Sequence, residues 1–232
     1  MKTAHLYNHR LKSLSLTQPW VFVTISITVM AIVWFSNNWQ QLIIGILVLI
    51  AAFYALKLLI RQSTVAYTLT LSHFQQHFAK GGWVVCWNNV VKIGICQHHN
   101  DGWYQPLPWI GIKLKQYPPY LDSICPRISS EILLGQRALL YLGFKQENQI
   151  SRFEDAVLNS RPFHAQNGQI YTGLQAILAN RMAYQRTFYD YDIFISTSDL
   201  DRPAEEFVGL MRRYLAASTQ QPNKTKGRES DL

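Results

Sequence analysis

Acidic residues are missing from the first 61 positions of this 232-residue chain. All 14 Asp and Glu residues follow Arg61, whereas five of the 22 Lys and Arg residues lie at or before it. Most of the formal net charge of +8 therefore sits in a segment without counter-charge, which favours attraction to anionic lipid. After Arg61, 17 basic residues are mixed with the acidic ones. This mixing leaves no basic stripe and argues against a nucleic-acid partner.

Cysteine and recognisable catalytic motifs are also scarce. The three cysteines, Cys86, Cys96 and Cys125, cannot all pair, and none has C-x-x-C spacing. We therefore expect free thiols, buried among apolar neighbours in a reducing cytoplasm. No serine or cysteine nucleophile signature is present, and Gly81-Gly82 does not belong to a phosphate-binding glycine motif. These absences predict a protein without a cofactor and favour binding over catalysis.

Charge is nearly absent from two long apolar runs, residues 20–35 and residues 42–60. A helix rises about 1.5 Å per residue, so 19 residues cover roughly 28 Å, close to the thickness of a bilayer core. The sequence therefore predicts a transmembrane helical hairpin over residues 20–60. A buried soluble helix is usually shorter, and residues 36–39 form a poor cleavage site for a signal peptide, so both alternatives are disfavoured.

Basic residues flank this predicted hairpin at both outer ends, and the link between its helices carries no charge. That pattern predicts that both termini are cytoplasmic, with residues 1–19 as a basic cytoplasmic N-terminus. Residues 62–217 would form a cytoplasmic domain. The polar residues 218–232 have little to bury and are predicted to be disordered.

The first half of the cytoplasmic domain has the alternating pattern of β-strands. Lys80-Gly81-Gly82 is typical of a turn, and the polar run over residues 97–102 predicts a hairpin loop. The predicted strands cover residues 67–71, 74–79, 83–87, 90–96 and 110–114.

Helical signals dominate the second half. Ser129 is a candidate N-cap for a helix that ends before Gly143. Ser151 and Glu154 have the spacing of a capping box. A third helix is predicted over residues 172–186, followed by a strand over residues 191–195 and a last helix that starts after Asp201. The core-facing stripe of this last helix contains Phe207, Leu210, Met211, Tyr214 and Leu215. The predicted fold class is a membrane-anchored α+β protein.

Two sets of residues resemble known families. Residues 67–95 contain Leu69-Thr70, Phe74, Gly81-Gly82 and Trp87-Asn88-Asn89-Val90, and they resemble bacterial pleckstrin-homology-like domains. This resemblance implies a β domain that follows two spans and closes with a C-terminal helix. Residues 125–188 would then be a helical insertion.

A second resemblance covers nearly the whole length. It rests on Pro126-Arg127-Ile128, Gly135-Gln136-Arg137, Leu178-Ala179-Asn180-Arg181-Met182 and Asp199-Leu200-Asp201-Arg202. In these segments the chain is similar to a gammaproteobacterial family of two-span membrane proteins known only as a domain of unknown function. The resemblance implies a multi-pass protein of the bacterial inner membrane and brings no known activity.

Four arginines on or beside the predicted helices are the best candidates for a binding site. They are Arg127, Arg137, Arg181 and Arg186. A guanidinium presents a planar fork of donors that matches a carboxylate or a phosphate, so these residues could bind an anion or a partner. The competing interpretation is that they are solvated or form ion pairs with Glu131, Glu154 or Asp155.

Two other groups of polar residues could in principle carry chemistry, a histidine pair with an aspartate and a pair of aspartates. His98 and His99 with Asp101 could bind a metal, but adjacent histidines on a flexible loop rarely converge on one ion, so we expect no metal. Asp190 and Asp192 share a face of the predicted last strand, where no nearby base makes them an acid–base pair.

We therefore expect an inner-membrane protein whose cytoplasmic domain acts as a binding or scaffolding module. Its expected partners are the lipid bilayer and a protein or an anionic lipid, and homo-oligomerisation is compatible with this interpretation. The alternative is an enzyme that acts on a membrane-associated substrate through the arginine-bearing helices. Transport is the weakest class, because two spans without an internal acid or base offer no pathway.

Overall fold

A short N-terminal strand, β1 (Ala4–Tyr7), belongs to the same structural unit as the C-terminal part of the chain. The computed structural model describes residues 3–7, 19–36, 38–63, 65–100 and 103–220. They fall into a helix unit, residues 8–64, and a sheet unit, residues 1–7 and 65–232. The sheet unit thus begins with residues that the sequence analysis assigned to the basic N-terminus.

The helix unit contains α1 (Pro19–Phe35) and α2 (Trp39–Ser63). Among the described residues, one helical segment, Trp39–Leu58, is long and apolar enough to cross a membrane, judged by length and composition alone. None of that segment is buried inside the protein, so its apolar side chains are available to lipid. The helix α1 covers the first predicted span, and its 17 residues make it the shorter of the two.

Four antiparallel strands form the first sheet of the sheet unit, in the order β1, β2 (Ala66–Leu69), β3 (His73–Phe78) and β4 (Gly81–Cys86). Tyr7 lies directly opposite Ala66, so residues 8–65 are inserted between two paired neighbouring strands. The predicted turn at Lys80-Gly81-Gly82 lies slightly earlier in the structure. Gly81 already pairs with Phe78, and the turn itself is formed by Ala79 and Lys80.

A long antiparallel hairpin, β5 (Val90–Asn100) and β6 (Trp103–Leu114), begins the second sheet. The prediction that residues 97–102 form a loop was wrong for most of this run. Residues 97–100 continue β5, and Asn100 pairs with Trp103. The polar composition suggested a loop, but polar side chains do not prevent two strands from pairing through their backbone hydrogen bonds.

Helices fill most of the chain between this hairpin and the last strand. They are α3 (Pro118–Ser123), α4 (Pro126–Gly135), α5 (Arg137–Gln146), α6 (Phe153–Val157) and α7 (Gly173–Tyr189). A small hairpin, β7 (Phe163–His164) and β8 (Ile170–Tyr171), lies between α6 and α7. The helical region therefore begins at Pro118, somewhat before residue 125.

The single helix predicted before Gly143 is two helices in the structure. The helix α4 starts at Pro126 after Cys125, so Ser129 lies inside it and donates to the Cys125 carbonyl. The chain bends at Gln136, and α5 then continues past Gly143. Glycine is required at position 143 because a Cβ there would lie 2.3 Å from Cδ2 of Phe188. Close packing, not helix termination, therefore explains this glycine.

The strand β9 (Ile193–Ser196) pairs with β6 and completes the second sheet. Tyr191, just before it, lies over the paired glycines Gly94 and Gly111, since a Cβ on either one would lie 2.3 Å or less from Tyr191 atoms. The last helix, α8 (Ala204–Gln220), includes the first three residues of the tail that was predicted to be disordered, and residues 221–232 lie outside the described residues.

An aromatic cluster forms the centre of the sheet unit. Phe207 of α8 is fully buried, with its ring 5.3 Å from that of Tyr67 and 6.4 Å from that of Phe74. Trp87 is also buried, and its Nε1 donates to the Thr70 carbonyl at 2.8 Å. The predicted inward direction of Phe207 is confirmed. The sheet unit is thus a mixed α+β structure in which helices cover two antiparallel sheets.

Candidate functional site

A cleft of about 230 Å³ opens where the end of β6, the β7–β8 hairpin and the last turns of α7 meet. Tyr117 and Pro118 come from the β6–α3 connection, Phe163 and His164 from β7, and Arg186 from α7. The full lining consists of Lys115, Gln116, Tyr117, Pro118, Phe163, His164, Ala165, Gln166, Asn167, Ala183 and Arg186. We call this the Arg186 cleft.

A buried carboxylate fixes Arg186 in place. Asp192 is 2% exposed and accepts from Arg186 Nε at 2.6 Å and from Arg186 Nη2 at 2.5 Å, the two-bond geometry that suits a guanidinium and a carboxylate. Arg186 Nη2 also donates to the Leu114 carbonyl at 2.7 Å. These contacts leave Nη1 without a hydrogen bond inside the described part of the chain. The hydrogen bonds that Arg186 donates to Asp192 raise the pKa of Arg186, so its charge is permanent.

Two stacked aromatic rings form the apolar wall of the cleft. The rings of Tyr117 and Phe163 lie 5.7 Å apart at 24°, and the Arg186 guanidinium lies 5.0 Å from the centre of the Tyr117 ring. The Tyr117 hydroxyl donates to Asp192 at 2.8 Å. Burial, and then the charge of Asp192, raise the pKa of Tyr117, so this side chain stays a neutral donor. A planar group entering beside Arg186 would meet an aromatic surface.

A second carboxylate near the cleft is neutralised by lysines of the second sheet. Asp190 ends α7 in the left-handed conformation, with φ of 60°. It accepts from Lys92 at 2.5 Å and from Lys113, and these hydrogen bonds lower its pKa. The two aspartates considered in the sequence analysis therefore have separate cationic partners, Asp190 with two lysines and Asp192 with Arg186.

The charges around the cleft favour an anionic ligand. None of its lining residues is an aspartate or a glutamate, whereas Lys115 and Arg186 are cations, the second of them paired with Asp192 behind the lining. The side chains of Gln116, Gln166 and Asn167 add amide donors. A carboxylate or a phosphate could thus be met by charge and by hydrogen bonds in one place, beside the Tyr117–Phe163 wall.

The four arginines proposed from the sequence do not share one surface. Arg127 is exposed on the first turn of α4, and Arg137 is exposed at the start of α5 with its guanidinium 5.7 Å from the Phe153 ring. Arg186 is the only one of the four that lines the cleft. Its partner is Asp192, whereas Glu131, suggested as an arginine partner, pairs with Lys80 at 3.3 Å.

Arg181 is enclosed in the helical layer. It is 2% exposed, its Nη1 donates to the Leu133 carbonyl at 2.6 Å, and its Nη2 donates to the Val157 carbonyl at 3.1 Å. Its Nε is buried without a hydrogen bond. Burial and the charge of Arg137 lower the pKa of Arg181 to about 10. The guanidinium connects the ends of α4 and α6 and is covered from solvent.

The suggested metal ligands and the three cysteines do not form a site in the described residues. Within residues 3–7, 19–36, 38–63, 65–100 and 103–220, no group of three His, Cys, Asp or Glu side chains could hold a metal ion. Asp101, one of the three suggested metal ligands, lies outside those residues. The cysteines are free, but only Cys96 is buried, where burial raises the pKa of its thiol to about 12, and Cys86 and Cys125 are exposed.

Sequence reasoning missed Lys115, Tyr117, Phe163 and His164. A weak signal existed for one of them, because Lys113 and Lys115 alternate with the buried residues Ile112 and Leu114 in the sequence, which predicts that both lysines face solvent. The other three depend on how the β7–β8 hairpin packs against the start of α3, and local periodicity carries no information about that contact.

Comparison with known proteins identifies one family. Residues 67–217 match the family described as "Protein of unknown function (DUF2982)". No curated protein and no solved structure matches the chain. The matched region starts in β2 and ends in α8, so it includes the Arg186 cleft and leaves out β1 and the helix unit. Because the match covers more than half of the chain, the protein belongs to the DUF2982 family.

Proposed function

We propose that this protein is a membrane-anchored binding module, and that the Arg186 cleft receives a carboxylate or phosphate group of its partner. The observation that carries this proposal is a cleft lined by Arg186 and Lys115, by three amide side chains and by no carboxylate. A neighbouring ion pair between Arg186 and Asp192 holds the guanidinium before any ligand arrives, so little side-chain entropy is lost on binding. The absence of an aligned nucleophile and base in the cleft favours binding over turnover.

Two membrane crossings are supported by the pairing of β1 with β2. Residues 8–65 begin and end at opposing positions of one sheet, since Tyr7 lies opposite Ala66. A segment that leaves and re-enters the same side of a membrane crosses it an even number of times. If α2 crosses once, α1 supplies the second crossing, and its 17 residues rise about 25 Å, at the short end of the range for a span.

The side of the membrane follows from charge. Lys2, Arg10 and Lys12 precede the apolar segment, Arg61 follows it, and residues 36–41 between the helices carry no charge. We therefore propose a bacterial inner-membrane protein with the sheet unit in the cytoplasm. Reporter fusions at the C-terminus should report cytoplasm, and fusions between residues 36 and 41 should report periplasm. A periplasmic C-terminal reporter would contradict this orientation.

A pleckstrin-homology-like relationship is part of the proposal. It is supported by the four-stranded meander from β1 to β4, by the second antiparallel sheet and by α8, which packs Phe207 into the aromatic cluster. The segment from α3 to α7 would then be an elaboration between the last two strands of the second sheet. This elaboration contributes the Phe163 and Arg186 sides of the cleft.

Photo-crosslinking in cells tests the proposed cleft with the full-length protein. A photoreactive residue replaces Gln166, which lines the cleft, and adducts are analysed for both protein and lipid. The variant Lys115→Gln removes one cleft charge from an exposed position and should reduce adduct yield severalfold. Lys145→Gln, an exposed lysine of α5 outside the cleft, is the matched control and should leave the yield unchanged.

Two results would contradict the proposal. Equal yields for the Lys115→Gln and Lys145→Gln proteins would show that the cleft charge does not recognise the captured molecule. Chemical conversion of an anionic metabolite by the purified full-length protein, lost in Lys115→Gln, would replace the binding module with an enzyme. In either case the melting temperatures of both variants are measured first, because a surface lysine change should alter stability by less than about 0.5 kcal/mol.

A further inference from the structure

The outer half of the β5–β6 hairpin extends beyond the third strand of its sheet. The strand β9 pairs with β6 only from Trp109 to Ile112, whereas β5 and β6 continue to pair as far as Asn100 and Trp103. We call residues 97–100 and 103–106 the ribbon. Isolated two-stranded ribbons are only marginally stable in water, so the ribbon lacks the sheet support that the inner half of the hairpin receives from β9.

The end of the ribbon is aromatic and nearly uncharged. Trp103 is 82% exposed and Tyr104 is 71% exposed, the first of these being the most exposed tryptophan of the sheet unit's described residues. No lysine or arginine occurs from residue 97 to residue 109, and Asp101 is the one acidic residue in that stretch. Tryptophan and tyrosine combine an apolar ring with a polar tip and are enriched where a bilayer meets water.

The ribbon leaves the sheet unit at the end where the chain connects to the helix unit. Tyr7, Ala66 and His77 form one row across the first sheet, so the connections to residues 8–64 lie at this end. Phe78, the next residue of β3, lines the same cleft of about 210 Å³ as Trp109 of β6. Trp109 is thus beside the connection end of the first sheet.

The other end of β6 lies away from that row. Leu114 pairs with Val90 at the start of β5. Only the short turn Trp87–Asn89 separates Val90 from Cys86, the last residue of β4. Cys86 pairs with His73, at the opposite end of the first sheet from Ala66. The strand β6 therefore passes from the far end of the first sheet to the connection end, and the ribbon continues beyond it.

We propose that the ribbon is a second membrane contact, with Trp103 and Tyr104 in the headgroup layer of the bilayer that holds the helix unit. The proposal rests on the membrane anchoring proposed above. The occupant is a lipid surface because the aromatic end carries no lysine or arginine that would select a specific anionic partner, and because both connections to the apolar segment lie at the same end of the first sheet. The sheet unit would then be held at the membrane by the two connections to the helix unit and by the ribbon. These three attachments would limit the rotation of the Arg186 cleft relative to the membrane plane.

Fluorine NMR of the full-length protein tests this contact. The seven tryptophans are replaced biosynthetically by 5-fluorotryptophan, and the protein is placed in nanodiscs of phosphatidylethanolamine and phosphatidylglycerol. Trp103→Phe assigns the Trp103 resonance by its disappearance. We expect a lipid spin-labelled near the headgroup to remove the Trp103 signal, and an aqueous gadolinium chelate to leave it. Trp87, which is 1% exposed, should respond to neither reagent and serves as the control.

Each other outcome has a definite meaning. If the gadolinium chelate removes the Trp103 signal and the spin-labelled lipid does not, the ribbon is in water and the proposal is wrong. If neither reagent affects Trp103, protein covers the ribbon, as in contact with a second copy, and the lipid contact is again wrong. Trp39, at the start of α2, reports anchoring separately: a lipid effect on Trp39 without one on Trp103 overturns only the ribbon contact.

Discussion

A buried guanidinium without a carboxylate shows how individual side chains hold the helical layer together. The partners of Arg181 are the carbonyls of Leu133 and Val157, and these lie in the last turns of α4 and α6. Carbonyls at helix C-termini lack partners within the helix and carry the negative end of its dipole, so a cation is favourable there. Arg181 therefore closes two helix ends with one side chain.

Replacing Arg181 by lysine should destabilise the protein by about 2 kcal/mol, because an ammonium group cannot span both carbonyls and at least one is left buried without a donor. Chemical denaturation of the full-length protein in detergent measures the change. The matched control is Arg127→Lys, on the exposed surface of α4, which should leave the midpoint unchanged. Wild-type stability of the Arg181→Lys protein, combined with weaker partner capture, would return Arg181 to the list of binding residues.

Sequence reasoning selected Arg181 and Arg186 for the same reason, and long-range packing separates them. The two residues are five positions apart on α7, one covered by α4 and α6 and the other opening onto a cleft. Residue type and helix position can be read from sequence. The identity of the elements that cover a given face cannot, because α6 and the β7–β8 hairpin are too short to have a periodic pattern of their own.

At the scale of elements, two glycines inside helices have opposite roles. A Cβ at Gly143 of α5 would meet the Phe188 ring of α7, whereas a Cβ at Gly209 of α8 would have no neighbour within 4 Å. Helix propensity favours alanine at both positions by up to about 1 kcal/mol. Packing therefore determines whether alanine stabilises or destabilises the protein at Gly143, whereas helix propensity alone determines it at Gly209.

Gly143→Ala should therefore lower the free energy of unfolding by about 1–3 kcal/mol, the usual cost of overpacking, while Gly209→Ala should raise it by about 0.5–1 kcal/mol. Denaturant titration of the two variants beside wild type measures both changes. A stabilised Gly143→Ala protein would mean that Phe188 moves aside easily and that α5 and α7 are packed less tightly than their geometry indicates.

The first sheet contains a pH-sensitive link across three strands. The Thr68 hydroxyl of β2 lies 3.2 Å from Nδ1 of His5 on β1 and 3.1 Å from Nε2 of His77 on β3. Burial, and then the charge of His5, lower the pKa of His77 from its ordinary value of 6.5. The folded state therefore prefers neutral His77, whereas the unfolded chain takes up its proton at the ordinary value.

His77 should thus contribute stability at neutral pH that is lost as the pH falls below about 6.5. The variant His77→Gln keeps a donor for Thr68 and removes the titration. Between pH 7.5 and pH 5.5, the melting temperature of wild type should fall further than that of His77→Gln. Parallel curves for the two proteins would show that protonation of His77 is tolerated in the sheet.

The strands were more predictable than the helices for a physical reason. Alternation over residues 110–114 reflects one buried and one solvent face, and Ile110, Ile112 and Leu114 are indeed buried. The helical boundaries were less predictable because tertiary packing overrides local sequence preference. The chain leaves the helix at Gln136, which is no typical helix breaker, and stays helical through Gly143, which is typical of a helix end. The pairing of residues 4–7 with β2 could not be predicted either, because local alternation identifies a strand but not its partner.

At the scale of the whole molecule, the helix unit occupies the place of a β-turn. Residues 8–65 connect Tyr7 to its pairing partner Ala66, and Val65 is already part of the core. A fragment that begins at residue 62 would lack β1 and expose the edge of β2.

Replacing residues 8–64 by Asn-Gly should give a soluble, folded sheet unit, because a short loop of this type joins antiparallel strands without strain. Relative to a fragment of residues 65–220, it should be more stable by about 1–2 kcal/mol, a part of the gain from burying Leu6 against the core. Urea titration and gel filtration compare the two proteins. Equal stability would mean that β1 contributes nothing to the sheet.

The insertion of residues 8–65 within one β-ladder also sets an order for biosynthesis. The strand β1 is made before both apolar helices, whereas its partner β2 is made only after them. An insertion error that left β2 across the bilayer from β1 would deprive both strands of their hydrogen bonds, and β2 would offer an open edge. In the membrane topology proposed above, completion of the first sheet would therefore distinguish correctly inserted chains from misinserted ones, which would be exposed to proteolysis.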